Sequence, residues 1–139
     1  MKTKVVFFIL LGILFVPQAC KDKEDLVPAA YVNFTISVAD PEFADLQIIG
    51  NSVLLTGGVC GIVIFRLSQD DFVALERNCT FQPNDRCAVL PDSSGLMLKC
   101  PCCSSVFSMS NGTHMSGEAT RPLVMYNTSF DGLYLHVYS

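Results

Sequence analysis

Cysteine constrains this chain more than any other residue type, with seven cysteines in 139 residues. Five of them fall between Cys79 and Cys103, in the segment C-T-F-Q-P-N-D-R-C and, after a short interval, in the tetrapeptide C-P-C-C. Two cysteine-bearing loops brought together by strands are how small β domains hold a metal ion or an iron–sulfur cluster. The same arrangement forms disulfides in proteins outside the cytoplasm.

The N-terminal segment predicts export and lipid attachment. A short basic stretch, Met1 to Lys4, precedes an apolar run from Val5 to Val16 that is too short for a transmembrane helix. Ala19 then stands directly before Cys20, as at the cleavage site of a bacterial lipoprotein. We therefore expect lipid on Cys20 and a location in the cell envelope, anchored in the outer membrane and either periplasmic or surface-exposed.

The chain divides into three parts on this basis. They are a signal peptide (residues 1–19), a charged lipid-anchored tether (20–30) and one domain (31–139). Loss of Lys2 and Lys4 with the signal peptide leaves seven basic against 13 acidic residues, a net charge of −6. This charge disfavours nucleic acid as a partner and leaves membrane attachment to the lipid.

The mature chain predicts an all-β fold, because short apolar or alternating runs are separated by turn residues and no window has a helical period. The predicted strands number nine or ten, as in a small barrel or sandwich of antiparallel sheets. They include Tyr31 to Val38, Leu46 to Gly50, Ser52 to Thr56, Gly61 to Leu67, Phe72 to Glu76, Ser105 to Met109, Leu123 to Tyr126 and Leu133 to Tyr138. The segment from His114 to Arg121 is predicted as an irregular loop.

The order of the motifs resembles a Rieske iron–sulfur domain from about Tyr31 to Ser139. The family has C-x-H in a first loop, C-P-x-H-G-S-x-F/Y in a second, and G-P-A-x-R-P-L in a third. Here the corresponding segments are C-T-F from Cys79, C-P-C-C-S-S-V-F from Cys100 and G-E-A-T-R-P-L from Gly117. The resemblance implies a Rieske-like fold with a cluster-binding subdomain of two cysteine loops.

The chain departs from the family at both ligand histidines, which makes it a divergent member on this resemblance. Rieske proteins hold a [2Fe-2S] cluster with two cysteines on one iron and two histidines on the other. Cys79 and Cys100 match the cysteines, but Phe81 and Cys103 stand where the histidines are expected. Ser104 replaces a glycine of the second loop.

Three interpretations of the cysteines stay open. In the first, Cys79, Cys100 and Cys103, with Cys87 as a fourth ligand, hold an altered [2Fe-2S] cluster. In the second, the same four thiolates hold zinc. In the third, no cofactor is bound and the thiols form disulfides: the resemblance implies Cys87–Cys102, and Cys79 would pair with Cys103 or Cys100. Cys60 is expected to be a small buried side chain or a spare thiol.

No hydrolytic or group-transfer constellation is visible, so the chain is at most an electron-transfer component of an oxidoreductase system. The resemblance places a redox or envelope partner at an exposed tip around Phe81, Pro83 and Val106. An alternative function is a disulfide-stapled structural or binding module of the envelope. A thiol–disulfide oxidoreductase is a further alternative, although the C-x-x-C pair from Cys100 to Cys103 lacks the helix that usually activates such a thiol.

Overall fold

The computed structural model describes residues 25–139, which form ten β-strands and two 3₁₀ segments. The strands are β1 (Asn33–Ser37), β2 (Ser52–Leu55), β3 (Ile62–Arg66), β4 (Phe72–Glu76), β5 (Leu90–Pro91), β6 (Met97–Lys99), β7 (Val106–Ser108), β8 (His114–Ser116), β9 (Met125–Phe130) and β10 (Tyr134–Tyr138). The 3₁₀ segments are Pro41–Gln47 and Pro83–Asp85. Within this range no helix has the length and apolar character needed to cross a membrane.

The strands form two antiparallel sheets, which confirms the predicted all-β fold. The larger sheet has six strands in the order β1-β10-β9-β4-β3-β2, and the smaller has four in the order β5-β6-β7-β8. The smaller sheet carries the second cysteine segment between β6 and β7. The first cysteine segment connects β4 of the larger sheet to β5 of the smaller one.

The β3–β4 hairpin is the wall that both hydrophobic cores share. All five residues of β4 are buried, as are the first four of β3. Because side chains alternate along a strand, one face of the hairpin packs toward β1 and β10 and the other toward the smaller sheet. The first core includes Ile62, Ile64, Ala74, Leu135 and Val137, and the second includes Val63, Leu75, Leu98, Phe107 and Cys100.

Two segments differ from their predicted structure. The predicted strand from Leu46 to Gly50 is wrong: Leu46 lies in a 3₁₀ segment that runs from Pro41 to Gln47, and a turn follows. Proline suits the first position of a helix, and the three-residue spacing of Phe43 and Leu46 matches one 3₁₀ turn, so both are buried together. The predicted loop after His114 begins as strand β8. The signal peptide and Cys20 lie outside the described residues.

Candidate metal and thiol centre

The first cysteine loop (residues 77–89) closes back on itself as an irregular hairpin. Residues 77–79 run antiparallel to residues 87–89, and the Cys79 N–H donates to the Cys87 carbonyl at 2.9 Å. The tip reverses through the 3₁₀ segment Pro83–Asp85. This pairing places Cys79 next to Cys87, although residues 80–86 separate them in sequence.

The second cysteine loop (residues 100–105) is a tight turn between β6 and β7. The Cys100 N–H donates to the Ser105 carbonyl at 2.8 Å, and the Ser104 N–H donates to the Cys100 carbonyl at 3.0 Å. Ser104 adopts a left-handed conformation with φ of 58°. The turn folds the Cys103 side chain back toward Cys100.

A third loop (residues 117–122) joins the two cysteine loops. The Ala119 N–H donates to Ser105 Oγ at 2.9 Å, and the Thr80 hydroxyl donates to the Arg121 carbonyl at 2.7 Å. Gly117 has φ of 94°, and a side chain there would collide with the Ser105 backbone. The third loop therefore fixes the position of the first loop through Thr80 and of the second through Ser105.

A disulfide between Cys87 and Cys102 ties the first cysteine loop to the second, with the two Cα atoms 6.4 Å apart. This is the pair that the resemblance implies. The Cys87 sulfur is bonded to Cys102 and offers no thiolate, so Cys87 can be a metal or cluster ligand only after this bridge is reduced. The pairs Cys79–Cys103 and Cys79–Cys100 are not bonded, and all three residues are free thiols.

We call Cys79, Cys100 and Cys103 the three-thiol centre. Their sulfur atoms all lie within 4.8 Å of one another. Cys79 Sγ is 3.6 Å from Cys103 Sγ, and Cys100 Sγ is 3.7 Å from Cys87 Sγ of the disulfide. Cys79 and Cys100 are buried, whereas Cys103 is half-buried and reaches solvent. The fold thus assembles three of the predicted ligands from two separate loops.

The thiols of the centre differ in acidity. Burial raises the pKa of the Cys79 thiol well above its usual value, because desolvation outweighs the hydrogen bond from the Phe81 N–H. Burial also opposes ionisation of Cys103, but hydrogen bonds from the Ser105 side chain and backbone and from the neighbouring thiols outweigh it, so the pKa of Cys103 is lowered. Cys103 is therefore the more nucleophilic end of the Cys79–Cys103 pair.

The Ser105 hydroxyl is oriented to stabilise a thiolate. Ser105 is fully buried, and its Oγ lies 3.1 Å from Cys103 Sγ. In the thiol form Cys103 donates to this oxygen, which also accepts from the Ala119 N–H, and once Cys103 loses its proton the Ser105 hydroxyl can donate to the sulfur instead.

The tip of the cysteine loops is less exposed than expected. Pro83 is buried, and Phe81 and Val106 are half-buried, so the prediction of an exposed apolar tip is wrong. Phe81 packs against the core that contains Cys79 and Cys100. The half-buried Cys103 remains the accessible sulfur of the centre.

Neither histidine belongs to the three-thiol centre. The His114 ring packs edge-on against Phe107, with the ring centroids 5.8 Å apart. His136 lies on β10, where its Nε2 is 2.7 Å from Asn33 Oδ1. Among residues 25–139, the side chains grouped closely enough to share a metal ion are all cysteines.

A buried carboxylate beside the centre was not identified from the sequence. Glu76, at the end of β4, is fully buried and accepts hydrogen bonds at 2.7–2.9 Å from the Val59, Cys60 and Asn78 N–H groups and from the Tyr126 hydroxyl. Burial and the Glu76 carboxylate raise the pKa of Tyr126. An acidic residue inside an otherwise apolar strand was the available signal.

Comparison with known proteins identifies the fold. No protein-family model matches the chain, and no curated protein matches its sequence. Among solved structures, it is similar to the cyanobacterial plasma membrane Rieske protein PetC3 from Synechocystis, at 20% identity and a TM-score of 0.59, covering 76% of this chain and 99% of that one. The chain folds as a Rieske-like domain.

Two further structures match the Rieske-like domain. The ferredoxin of carbazole 1,9a-dioxygenase from Nocardioides aromaticivorans is 15% identical, with a TM-score of 0.52, over 79% of this chain and 98% of that one. A chain from a complex of reduced oxygenase and oxidised ferredoxin in carbazole 1,9a-dioxygenase is 20% identical, with a TM-score of 0.54, over 77% and 93%. The two matches therefore span more than three-quarters of this chain and more than nine-tenths of the other.

The residues of the centre do not fit the cluster that this fold is known for. A Rieske cluster needs two thiolates and two imidazoles, and the histidines of the described chain lie elsewhere. A cluster held by four thiolates does not fit either, since Cys87 and Cys102 are bonded to each other and Cys60 donates to Asn78 Oδ1 and the Arg86 carbonyl. Three free thiols converge where four ligands are required.

Proposed function

We propose that this chain is a redox protein of the bacterial cell envelope, held at the outer membrane by lipid on Cys20, and that it transfers electrons through the three-thiol centre. The observation that carries the proposal is the convergence of three free cysteines in the two loops of a Rieske-like domain. The electron carrier in this proposal is the thiol pair Cys79 and Cys103, in place of an iron–sulfur cluster. The anchor is supported by the sequence pattern that ends at Cys20.

The chemistry starts at Cys103, whose sulfur is accessible and whose pKa is lowered. The Cys103 thiolate attacks one sulfur of a disulfide on a partner protein, and the partner's other sulfur leaves as a thiolate. Cys79 then loses its proton and attacks Cys103, forming the Cys79–Cys103 disulfide and releasing the partner as a dithiol. Two electrons and two protons pass to the partner, and the reverse sequence reduces the centre.

The geometry requires little movement for this step. The two sulfurs are 3.6 Å apart and must approach to about 2.05 Å to form the bond. The described chain has no helix at Cys103 to activate the thiol. The Ser105 hydroxyl and backbone stabilise the Cys103 thiolate instead. The lower-pKa cysteine is also half-buried, so a partner disulfide can reach it.

A redox titration with a thiol count tests the proposal. The protein is equilibrated in thiol–disulfide buffers, quenched with acid and labelled with a maleimide, and the bound labels are counted by mass spectrometry. We expect a reversible two-electron step that peptide mapping assigns to Cys79 and Cys103, separate from that of the Cys87–Cys102 bridge, lost in Cys103→Ser and retained in Cys60→Ser. Unchanged labelling of Cys79 and Cys103 over the whole range of potentials would overturn the proposal and favour the disulfide-stapled structural module.

A second candidate for the same role is the altered [2Fe-2S] cluster. It is favoured by one contact, the 3.7 Å between Cys100 Sγ and Cys87 Sγ, because reduction of the Cys87–Cys102 bridge would leave a fourth thiol beside the centre. Cys79, Cys87, Cys100 and Cys103 would then be the four ligands. Iron and acid-labile sulfide are measured after anaerobic reconstitution of the fully reduced protein, and absence of bound sulfide excludes this candidate.

A further inference from the structure

We infer that the reduced three-thiol centre binds one divalent thiophilic cation, with Cys79, Cys100 and Cys103 as ligands and water as the fourth ligand. This inference rests on the proposed function, because it concerns the same three sulfurs. It adds a regulatory consequence: the cation binds the reduced protein alone and is released when Cys79 and Cys103 form a disulfide.

The sulfur positions match a site for a single metal ion. In a tetrahedral zinc–thiolate site each Zn–S bond is about 2.3 Å, so two ligand sulfurs lie about 3.8 Å apart. Cys79 Sγ and Cys103 Sγ are 3.6 Å apart, and no separation within the centre exceeds 4.8 Å. The three sulfurs therefore surround a space of the size of one cation, and small side-chain shifts complete the geometry.

The surrounding groups provide hydrogen bonds that thiolate ligands need. The Phe81 N–H faces the Cys79 sulfur and the Ser105 N–H faces the Cys103 sulfur. The Ser105 oxygen, which accepts from the Cys103 thiol at 3.1 Å, can donate its own proton once that thiol is deprotonated. Both backbone donors are two residues after the cysteine they contact. Such donors orient metal-bound sulfurs and disperse their negative charge.

A bound cation also resolves the cost of burying these thiols. Cys79 and Cys100 are buried, and a buried side chain without a countercharge favours its neutral form. A divalent ion reverses this preference, since a coordinating thiol loses its proton outright. Three thiolates and one divalent ion leave a single negative charge, and the Ser105 donors lie on the half-exposed side where that charge is partly solvated.

The Cys87–Cys102 disulfide explains why the site has three protein ligands and a fourth coordination position open to water. Because it ties the two cysteine loops together without using a sulfur of the centre, the ligands are held close before the ion arrives. It also leaves no fourth protein sulfur, so the remaining coordination position falls to water at the Cys103 side. A three-ligand site of this kind is open to exchange, unlike a closed four-cysteine structural site.

Cobalt is the probe for the first test, because its thiolate complexes absorb strongly. Protein purified anaerobically with the Cys87–Cys102 bridge intact is titrated with Co²⁺ and then with Zn²⁺. We expect one Co²⁺ per chain, a sulfur-to-cobalt charge-transfer band and displacement by Zn²⁺. Cys103→Ala should weaken cobalt binding by at least about 100-fold, since a direct ligand matters more than the outer contacts that cost 10- to 100-fold.

Cys60→Ala is the matched control, because Cys60 is a free thiol outside the centre. It should leave the cobalt affinity and spectrum unchanged. No cobalt binding, or a charge-transfer band that survives Cys103→Ala in a variant with unchanged circular dichroism, would overturn the inference. Addition of oxidised glutathione to the zinc-loaded protein should release one Zn²⁺ per chain to a chromogenic chelator, and retention of the zinc after Cys79–Cys103 forms would also overturn it.

The two proposals fail in different ways. If the two-thiol redox step is observed and no cobalt binds, the cation inference is wrong and the proposed function stands. If one cobalt binds through Cys103 but the maleimide labelling of Cys79 and Cys103 never changes with potential, the proposed redox function is wrong and the centre is a cation site alone.

Discussion

Glu76 and Cys79 are both buried polar residues on the same segment, but their side chains differ in the hydrogen bonds that they receive. The Glu76 carboxylate accepts four hydrogen bonds, three from backbone N–H groups and one from Tyr126. The Cys79 sulfur has one backbone donor, from Phe81, and otherwise contacts the thiols beside it. Buried polar groups are normally satisfied, so the carboxylate has a complete structural role and the thiols keep capacity for a ligand or a new bond.

The two regions also differ in how they are built. The Glu76 carboxylate, at the end of β4, accepts hydrogen bonds from the turn before β3 and from Tyr126 on β9. It therefore links that turn, β4 and β9, which lie within or beside the six-stranded sheet. Gly58 in that turn has no room for a side chain, because a Cβ atom would collide with the Glu76 carboxylate. The three-thiol centre is held instead by loops, a disulfide and a few hydrogen bonds. The first region therefore stabilises the fold and the second provides chemistry.

The largest expected effect on stability is that of Glu76→Ala. It leaves the buried Asn78 N–H and Tyr126 hydroxyl, and the partly buried Val59 and Cys60 N–H groups, without their acceptor. Each unsatisfied buried group costs about 1–3 kcal/mol. We expect the free energy of unfolding to fall by about 3 kcal/mol or more, measured by urea denaturation. Glu118→Ala, at an exposed glutamate, is the control and should have an effect within about 0.5 kcal/mol.

Tyr126→Phe keeps this test informative if Glu76→Ala does not fold. It removes one of the four donors and leaves the phenyl ring in place. The loss should be about 1 kcal/mol, typical of a single hydrogen bond, or somewhat more because the acceptor is charged. A negligible loss in both variants would mean that Glu76 does not stabilise the fold, and the contrast with the thiols would fail.

Removal of the disulfide has the second-largest expected effect on the free energy of unfolding. The double variant Cys87→Ala, Cys102→Ala opens a loop with a sequence separation of 15 residues, and the chain-entropy estimate for such a loop is about 3 kcal/mol. We expect a loss of this order in the free energy of unfolding, with the six-stranded sheet still formed by circular dichroism. An unchanged stability would show that the third loop alone holds the cysteine loops together.

The third prediction concerns the reactivity of the thiols in metal-free protein. The pKa of Cys103 is lowered, whereas burial and the nearby Glu76 raise the pKa of Cys60. Because the thiolate is the reactive form, alkylation of Cys103 should rise to its plateau at a lower pH than alkylation of Cys60. Iodoacetamide labelling followed by peptide mass spectrometry measures both profiles.

Ser105→Ala is the variant that identifies the cause of this difference. It removes the hydroxyl that can donate to the Cys103 thiolate, so the Cys103 profile should move to higher pH and the Cys60 profile should stay in place. Coincident profiles for Cys103 and Cys60 in the unaltered protein would contradict the prediction.

The sequence predicts the fold well because strands, turns and motif order are local patterns. It predicts three convergent thiols, Cys79, Cys100 and Cys103, because their loops follow from the Rieske resemblance. It does not reveal that Glu76 accepts four hydrogen bonds, since three of the four donors come from a turn and from β9, both distant in sequence. Nor does spacing alone decide between Cys87 as a ligand and Cys87 as half of a disulfide, which depends on where Cys102 lies in space.

The smallest expected effect is that of Ser104→Gly, in the second cysteine loop. Ser104 has φ of 58°, a left-handed conformation that costs a residue with a side chain about 1 kcal/mol and costs glycine almost nothing. The family pattern has glycine at this position, and the turn geometry gives the physical reason. Glycine also loses more entropy on folding, so the net gain in the free energy of unfolding should be up to about 1 kcal/mol.

Ser93→Gly is the matched control, because Ser93 is exposed in a turn and does not have a positive φ. It should be neutral or slightly destabilising, so the two serine-to-glycine changes should not have the same sign. Ser104→Gly should also leave the alkylation profile of Cys103 unchanged, since it alters no donor to that sulfur. A loss of stability in Ser104→Gly would mean that serine stabilises the protein more, by restricting the unfolded chain, than its left-handed conformation destabilises it. The second cysteine loop would then be less rigidly fixed than the Glu76 region.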